Sequence, residues 1–288
     1  MKQKNKQLIW DIGKLPFHVG MSDCPHNENV PDTLDFQIGI DINTSMIIQL
    51  INEKIISELE KTYNIGSQIC TSMGESKLGQ WYLNDFLGFI LKSLDTKSLK
   101  GLKILEIGCG KGYLLKVLSE LGADVIGIDP SNAQHPYADQ ANVEVITNNF
   151  DKSLFTHKFD LIIHYAVLEH VFNAKSFMSD QLKLLNSGGS IIFSVPDCTE
   201  HLYYGDISMF VHEHISYLDT NILKNFADEI GADVKLCCKA GKGGAIYSVW
   251  LPSYQSSSLK RSYINSHNFV RKAKNGLLKM KNFFFNLK

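Results

Sequence analysis

The chain has 288 residues, of which 44% are hydrophobic, and this is enough apolar material for one large core. Its formal net charge of −1 gives no global attraction to nucleic acid or to an anionic membrane. The first residues contain no long apolar stretch, so we expect neither a secretory signal nor a membrane-spanning helix. The scattered cysteines lack C-x-x-C spacing, which argues against a zinc ribbon and favours a reduced, cytoplasmic setting: Cys24, Cys70, Cys109, Cys198, Cys237 and Cys238.

Residues 1–66 are predicted to form a helical N-terminal arm that acts as a lid or cap. Residues 1–40 hold several of the prolines and few periodic apolar positions. Residues 43–63 place apolar side chains at helical spacing, with Asn43 and Thr44 as candidate caps, and a second helix is expected at 78–94.

Residues 67–252 are predicted to form a doubly wound α/β domain with a mostly parallel, seven-stranded sheet. Short, nearly all-apolar runs at 103–108, 124–129, 143–147, 159–165 and 190–195 alternate with helix-like segments at 111–121, 131–140 and 173–186. Strands that are apolar on both faces indicate a parallel sheet covered by helices. A helix near 219–231 and strands at 233–239 and 244–251 then suggest an antiparallel pair at the sheet edge.

The segment "EIGCGKG" turns the first of these strands into a helix and is a candidate ligand loop. A dinucleotide fingerprint would require glycine at the sixth position, which here is Tyr113, while Gly108, Gly110 and Gly112 follow Glu106. Asp129 ends the next strand, where a carboxylate can accept both hydroxyls of an adenosine ribose.

"EIGCGKG" followed by "GID" resembles the S-adenosylmethionine site of the class I methyltransferases, which have a Rossmann-like fold. The resemblance implies S-adenosylmethionine as cofactor, with Asp129 at its ribose. It places Asn149 and Phe150, from "NNFD", at the adenine and His164 beside the methionine moiety. The cofactor-binding residues implied at the loop itself and just after the second strand are Glu106, Gly108, Cys109, Gly110, Gly112 and Pro130.

Glu169 and His170, in the segment "HYAVLEHV", follow the fourth strand of the domain. We interpret them as helix-start capping and packing residues rather than as catalytic groups.

The segment "FVHEHISYLD", residues 210–219, carries the strongest candidates for acid–base chemistry. It resembles a segment of the sugar methyltransferases related to nucleotide-sugar C-methyltransferases, although this chain lacks the cysteine-rich zinc domain of that group. The resemblance makes His214 the general base, Glu213 its partner and Tyr217 an acceptor-site residue, with His212 as the second choice of base. It implies O- or C-methylation of a sugar or nucleotide-linked precursor of a surface polysaccharide such as a capsule.

Four alternatives to this interpretation remain open. An anionic acceptor such as a phosphate or phosphoramidate oxygen would need no base. The chain could bind S-adenosylmethionine without catalysis. The two histidines could instead belong to a hydrogen-bonded loop cluster, or bind a metal from alternate positions of an extended segment. We assign no metal ligand, and no "NPPY"-like step indicates nucleic acid as substrate.

Residues 253–288 are predicted to form a basic helical tail. The tail contains no Asp or Glu, and its apolar residues include Leu277, Leu278 and Phe283–Phe285. We prefer packing of this helix on the domain or on a second subunit, which would make a homodimer, to contact with an anionic membrane.

Overall fold

A computed structural model describes residues 5–17, 31–65, 73–132, 134–241, 243–253, 275–279 and 281–282. Its larger sheet has seven strands in the order β10-β11-β8-β7-β4-β5-β6. Strands β4, β5, β6, β7 and β8 pair with one another in parallel. At the edge, β11 pairs antiparallel with β8, and β10 pairs antiparallel with β11. The bounds of these strands are β4 Lys103–Ile107, β5 Asp124–Asp129, β6 Val145–Thr147, β7 Phe159–Tyr165, β8 Leu185–Pro196, β10 Ala232–Lys239 and β11 Ala245–Pro252.

Helices cover both faces of this sheet. Successive residues of β7 belong to different hydrophobic clusters, with Ile162 packed in one and Ile163 in the other. The bounds of the α-helices that precede the C-terminal tail are α1 Glu53–Ile65, α2 Lys77–Ser93, α3 Tyr113–Glu120, α4 Pro136–Gln140, α5 Ala174–Lys183, α6 Thr199–Tyr204 and α7 Thr220–Ile230. The doubly wound, mostly parallel sheet with an antiparallel edge pair is therefore confirmed.

The N-terminal region is a small sheet followed by one helix, so the expectation of a helical arm is wrong for most of it. Strands β1 (Lys6–Pro16), β2 (Thr33–Asp41) and β3 (Ile47–Gln49) are joined by β9 (Ser216–Tyr217) into a four-stranded antiparallel sheet. The helix predicted from residue 43 starts only at Glu53, because Ile47 and Ile48 pair with β2 on one side and β9 on the other.

The described part of the C-terminal tail is helical at residues 275–279 and 281–282. Leu277 is fully buried and packs with Trp10, Phe36 and Phe210 in the cluster beneath the small sheet. This agrees with a tail that packs on its own chain, while Phe283–Phe285 and most of the basic residues lie outside the described residues. Among the helices that the structure describes, none combines the length and apolar character needed to cross a bilayer.

Candidate functional site

The glycine loop joins β4 to α3 at the carboxyl edge of the parallel sheet. Gly108, Gly110 and Gly112 all have positive φ angles, of 71°, 50° and 78°. A Cβ atom on Gly110 would meet no other atom within 4 Å, so this residue borders open space. In sheets of this kind ligands bind beyond the carboxyl ends of the strands. The turn at Gly110 thus lies where a ligand can approach the backbone closely.

The other two glycines allow close packing. A Cβ atom on Gly108 would lie 2.5 Å from Val167 Cγ2, and one on Gly112 would lie 2.6 Å from Ala138 Cβ. Gly108 therefore lets the segment after β7 approach the loop, and Gly112 lets α4 pack against the start of α3. The sequence prediction assigned these residues to the cofactor, and the structure adds a packing role to each.

Asp129, at the end of β5, holds the loop from the neighbouring strand. Its Oδ2 accepts a hydrogen bond from the backbone N–H of Gly110 at 2.8 Å, and its Oδ1 accepts one from that of Ser131 at 2.9 Å. The side chain is buried, with 8% of its surface exposed. A carboxylate has about four lone-pair positions, so these two bonds leave capacity for ribose hydroxyls.

Glu106 lies in β4, directly before the loop, and is buried. Burial, together with the nearby Asp129, raises the pKa of its carboxyl to about 8. Its Oε2 has no hydrogen-bond partner among the described residues. A buried acceptor without a partner fits the amino group of S-adenosylmethionine, since a cation there would supply the missing bond and favour the ionised carboxylate.

Three further residues of the predicted cofactor set lie along the same edge. Pro130 follows Asp129 and is half-buried, Asn149 is exposed, and Phe150 is half-buried. The Phe150 ring packs against Phe177 with 5.5 Å between ring centroids. These positions are compatible with an adenine site, and the assignment stays a prediction.

Two residues predicted at the cofactor, Cys109 and His164, have side chains that lie in the core. The side chain of Cys109 packs in the hydrophobic core, where a Cβ atom on Gly127 would lie 2.8 Å from its Sγ. His164 has no exposed surface, and its ring stacks on Phe193 with 4.9 Å between centroids. The prediction that His164 lies beside the methionine moiety is therefore wrong, because this face of β7 points into the core.

His164 should make stability depend on pH. Burial lowers the pKa of its ring to about 3 from an ordinary value of 6.5, so the folded state holds it neutral. The stability contributed by the neutral ring is complete above pH 6.5 and is lost as the pH falls toward 3. We expect H164L to reduce the loss of unfolding free energy between pH 7 and pH 4 by about 3 kcal/mol, measured by urea denaturation.

The matched control is H157L, which changes an exposed histidine just before β7. It should leave the pH dependence close to that of the wild type. Equal pH dependence in H164L and the wild type would contradict the assignment of this effect to the buried ring.

Glu169 and His170, which follow β7, form a polar cluster with His214; Glu169 is buried and the two histidines are partly exposed. The ligand-forming atoms of the three side chains all lie within 4.8 Å of one another. The rings of His170 and His214 are 5.1 Å apart between centroids, and His170 Nε2 is 3.9 Å from Glu169 Oε1. Because Val167 packs on Gly108, this polar cluster begins two residues from the loop contact.

Burial sets the charge of the polar cluster. It lowers the pKa of His170 to about 3 and that of His214 to about 4, and it raises the pKa of Glu169 to about 8. Neither carboxyl oxygen of Glu169 has a hydrogen-bond partner within the part of the chain that the structure describes. At neutral pH the two imidazoles are therefore neutral and able to accept a proton or to bind a metal ion.

The "HEH" segment forms a tight turn rather than an extended strand. The backbone N–H of His214 donates to Val211 O at 3.0 Å. With its side-chain amide oriented to donate, Gln49 of β3 reaches the carbonyl oxygens of His212 at 3.0 Å and His214 at 3.1 Å. The turn points the two histidines to different places, so the idea that they bind one metal from alternate positions does not hold.

The backbone carbonyl of Glu213 contacts the side chain of His170. The carbonyl oxygen of Glu213 lies 2.9 Å from His170 Nδ1 and 3.3 Å from the Tyr63 hydroxyl, which donates to it. The Glu213 carboxylate lies 4.0 Å from the same Nδ1. Glu213 was predicted as the partner of His214, and these contacts place it beside His170.

His212 and Tyr217 do not face an acceptor site. His212 is 1% exposed, with its ring 5.0 Å from that of Phe36 and its Nδ1 3.1 Å from Pro16 O. Tyr217 is 3% exposed and packs 5.2 Å from Phe210 under the small sheet. Both predicted roles, second base and acceptor-site residue, are wrong, because β1 and β2 cover His212 and the core of the small sheet buries Tyr217.

The sequence interpretation missed Glu169 and His170, which it treated as capping and packing residues. The unpartnered carboxyl of Glu169 caps no backbone N–H among the described residues. Their position in the sequence could have indicated a functional role, since both come shortly after a buried strand, at the sheet edge where ligands bind.

Comparison with known proteins identifies the domain. Residues 82–235, more than half of the chain, match the family model described as "Methyltransferase domain". The ubiquinone biosynthesis O-methyltransferase of Azorhizobium caulinodans is 33% identical over 105 residues, which are 34% of this chain and 42% of that protein. The mitochondrial ubiquinone biosynthesis O-methyltransferase of Rattus norvegicus is 34% identical over 119 residues, 37% of this chain and 34% of that protein.

The chain thus spans about two fifths or less of the length of these curated relatives. Among solved structures, the magnesium protoporphyrin IX methyltransferase ChlM from Synechocystis, with bound S-adenosylhomocysteine, superposes with a TM-score of 0.52. That likeness covers 69% of this chain and 100% of the other, and at 17% identity it shows the fold.

These relatives overturn the predicted acceptor. The expectation of a sugar, nucleotide-sugar or capsule precursor, drawn from likeness to sugar methyltransferases, is wrong, because these two relatives are O-methyltransferases of ubiquinone biosynthesis. The prediction of a methyltransferase that uses S-adenosylmethionine is confirmed by the family match. From its glycine loop, its sheet order and that match, this chain belongs to the methyltransferase domain family, as a class I S-adenosylmethionine-dependent methyltransferase domain.

Proposed function

We propose that the chain transfers a methyl group to a hydroxyl oxygen on the ring of a small quinone-type or phenolic acceptor. The relatives named for ubiquinone biosynthesis support the class of acceptor. The observation that carries the proposal is the polar cluster of Glu169, His170 and His214, which offers a neutral imidazole near the glycine loop. A neutral hydroxyl needs such a group, because its proton must leave as the new bond forms.

When bound, S-adenosylmethionine supplies an electrophilic methyl carbon on a sulfonium. Glu106 would hold its amino group and Asp129 its ribose. His214 accepts the proton of the acceptor hydroxyl while that oxygen attacks in line and the carbon–sulfur bond breaks. Once His214 is positively charged, the nearby Glu169 carboxyl can release its own proton to solvent and stabilise that charge as a carboxylate.

The test is a substrate panel read by mass spectrometry. The purified chain is incubated with S-adenosylmethionine and with catechol, protocatechuate, a ubiquinol analogue and, for comparison, a nucleotide sugar. We expect one methyl group to be added to a dihydroxybenzene or quinol and none to the nucleotide sugar. Methylation of none of the ring compounds, by protein that binds S-adenosylhomocysteine, would contradict the proposal.

We also propose that the chain acts in a reduced compartment, as cytoplasm provides. The cysteines of the described region are free: Cys109, Cys198, Cys237 and Cys238. Cys24 and Cys70 lie outside the described residues.

We keep the segment boundaries, 1–66, 67–252 and 253–288, as a proposal. The pairing of β3 with β9 means that the first segment completes its sheet with residues of the second.

A further inference from the structure

A concavity lies beyond the ends of β7 and β8. Its volume is about 150 Å³, and it is bordered by the ends of β7 and β8, by the turn between β10 and β11, and by α2 above them. Tyr165 and Ala166 contribute the β7 edge and Ser194 the β8 edge. Like the loop, it therefore lies beyond the carboxyl ends of parallel strands.

The concavity is one residue from the loop contact. Ala166 lines it, and the next residue, Val167, is the one that packs on Gly108. The concavity therefore lies beside the chain segment that contacts the glycine loop. In-line transfer requires an acceptor close to the cofactor, which makes this concavity a candidate for the acceptor.

The walls are mainly aromatic. Trp81, Tyr82, Tyr165 and Tyr247 line the space, and Trp81 is 39% exposed, so it remains accessible from outside. Phe86 supports the wall from behind, with centroids 5.0 Å from Tyr165 and 5.1 Å from Tyr247. Cavities of about 150 Å³ are known to take up benzene, so one substituted ring is the matching size.

Asp85 places one carboxylate in this aromatic setting. Its Oδ2 accepts hydrogen bonds from the Tyr247 hydroxyl at 2.9 Å and from the backbone N–H of Gly241 at 3.1 Å. A Cβ atom on Gly241 would lie 2.5 Å from Asp85 Oδ1, so a larger residue here would displace the carboxylate. These contacts fix the carboxylate against the turn between β10 and β11.

We propose that this concavity binds the aromatic ring of the acceptor, and that Asp85 selects hydroxylated rings by accepting a hydrogen bond from a ring hydroxyl that is not methylated. The inference rests on the proposed function for the identity of the reaction, and it adds the subsite and its chemistry. Asp85 acts as a specificity-determining residue. Rings fit between the aromatic walls, whereas a bulky second group would have to extend outward past Trp81.

The test measures binding rather than turnover. Catechol is titrated into the full chain saturated with S-adenosylhomocysteine, and tryptophan fluorescence is recorded. We expect catechol to quench the emission of Trp81, and W81F to lose most of that signal. D85N should raise the Kd for catechol by about tenfold, the effect of losing a hydrogen bond to a charged group, with unchanged affinity for S-adenosylhomocysteine. A245L, which fills part of the space, should also weaken catechol binding.

The matched control is D95N, which makes the same change at an exposed residue just after α2. It should bind catechol like the wild type. Equal catechol Kd values in D85N and the wild type would overturn the selection by Asp85, and quenching that persists in A245L and W81F would overturn the subsite. If catechol binds as expected but no ring compound is methylated, the subsite stands and only the proposed reaction fails.

Discussion

Replacing Asp129 with alanine should weaken the binding of S-adenosylhomocysteine by about 10- to 100-fold. This is the loss of affinity expected when hydrogen bonds to a charged group are removed. Two losses combine in D129A. The ribose hydroxyls lose their acceptor, and the backbone N–H of Gly110 loses the bond that holds the loop against β5. Isothermal titration calorimetry with S-adenosylhomocysteine measures the change directly.

A second substitution separates the two losses. In D129N the amide oxygen can still accept one bond from the loop, but the side chain no longer carries a charge and has fewer acceptor positions for the ribose. We expect an affinity between those of the wild type and D129A. D124A is the matched control, because Asp124 is an exposed acid at the other end of the same strand. Wild-type affinity in D129A would remove Asp129 from the cofactor site.

The sequence predicted the large sheet well because its strands are recognisable one by one. The runs at 103–108, 124–129 and 159–165 are apolar on both faces, and the structure has strands at these places with bounds that differ by at most one residue. A run of this kind carries its own signal of burial, and helices between such runs leave few topologies.

The N-terminal sheet was not predicted because its strands depend on distant partners. Ile47 and Ile48 have apolar side chains that suit either a helix or a strand, and the β9 residues with which they pair lie far away in the sequence. In β2 the buried residues alternate with more exposed ones over part of its length, as in a strand covered on one face. A periodicity that fits two structures is decided by tertiary contacts.

The part of the candidate site that depends on a local backbone motif could be predicted from the sequence. The part that depends on the direction of side chains could not. The glycine loop and Asp129, which the sequence assigned to one ligand, form one hydrogen-bonded unit. By contrast, nothing in "FVHEHISYLD" tells which histidine turns toward the domain and which toward the small sheet. The turn at His212 decides this, and it is held by Gln49, which lies more than 160 residues earlier in the chain.

Replacing His214 with alanine should reduce kcat by about a hundredfold or more, the usual contribution of a general base, while S-adenosylhomocysteine affinity stays the same. Burial holds the pKa of His214 at about 4, so this base is neutral over the whole physiological range. In the wild type, kcat should therefore fall as the pH is lowered toward 4. The measurement is a pH profile of kcat on the ring compound that the panel identifies, with H157A as the control for loss of an exposed histidine.

The same polar cluster could act instead by holding a metal ion, and the two mechanisms give opposite results with a chelator. If His214 is a base, treatment with EDTA leaves kcat unchanged, and E169Q reduces kcat less than H214A because Glu169 acts only on the charge formed after proton transfer. If Glu169, His170 and His214 hold a cation, EDTA abolishes turnover, added zinc or magnesium restores it, and E169Q is as damaging as H214A. We expect the first pattern, because the buried Glu169 with a pKa near 8 is mostly protonated at neutral pH and in that form is a poor metal ligand.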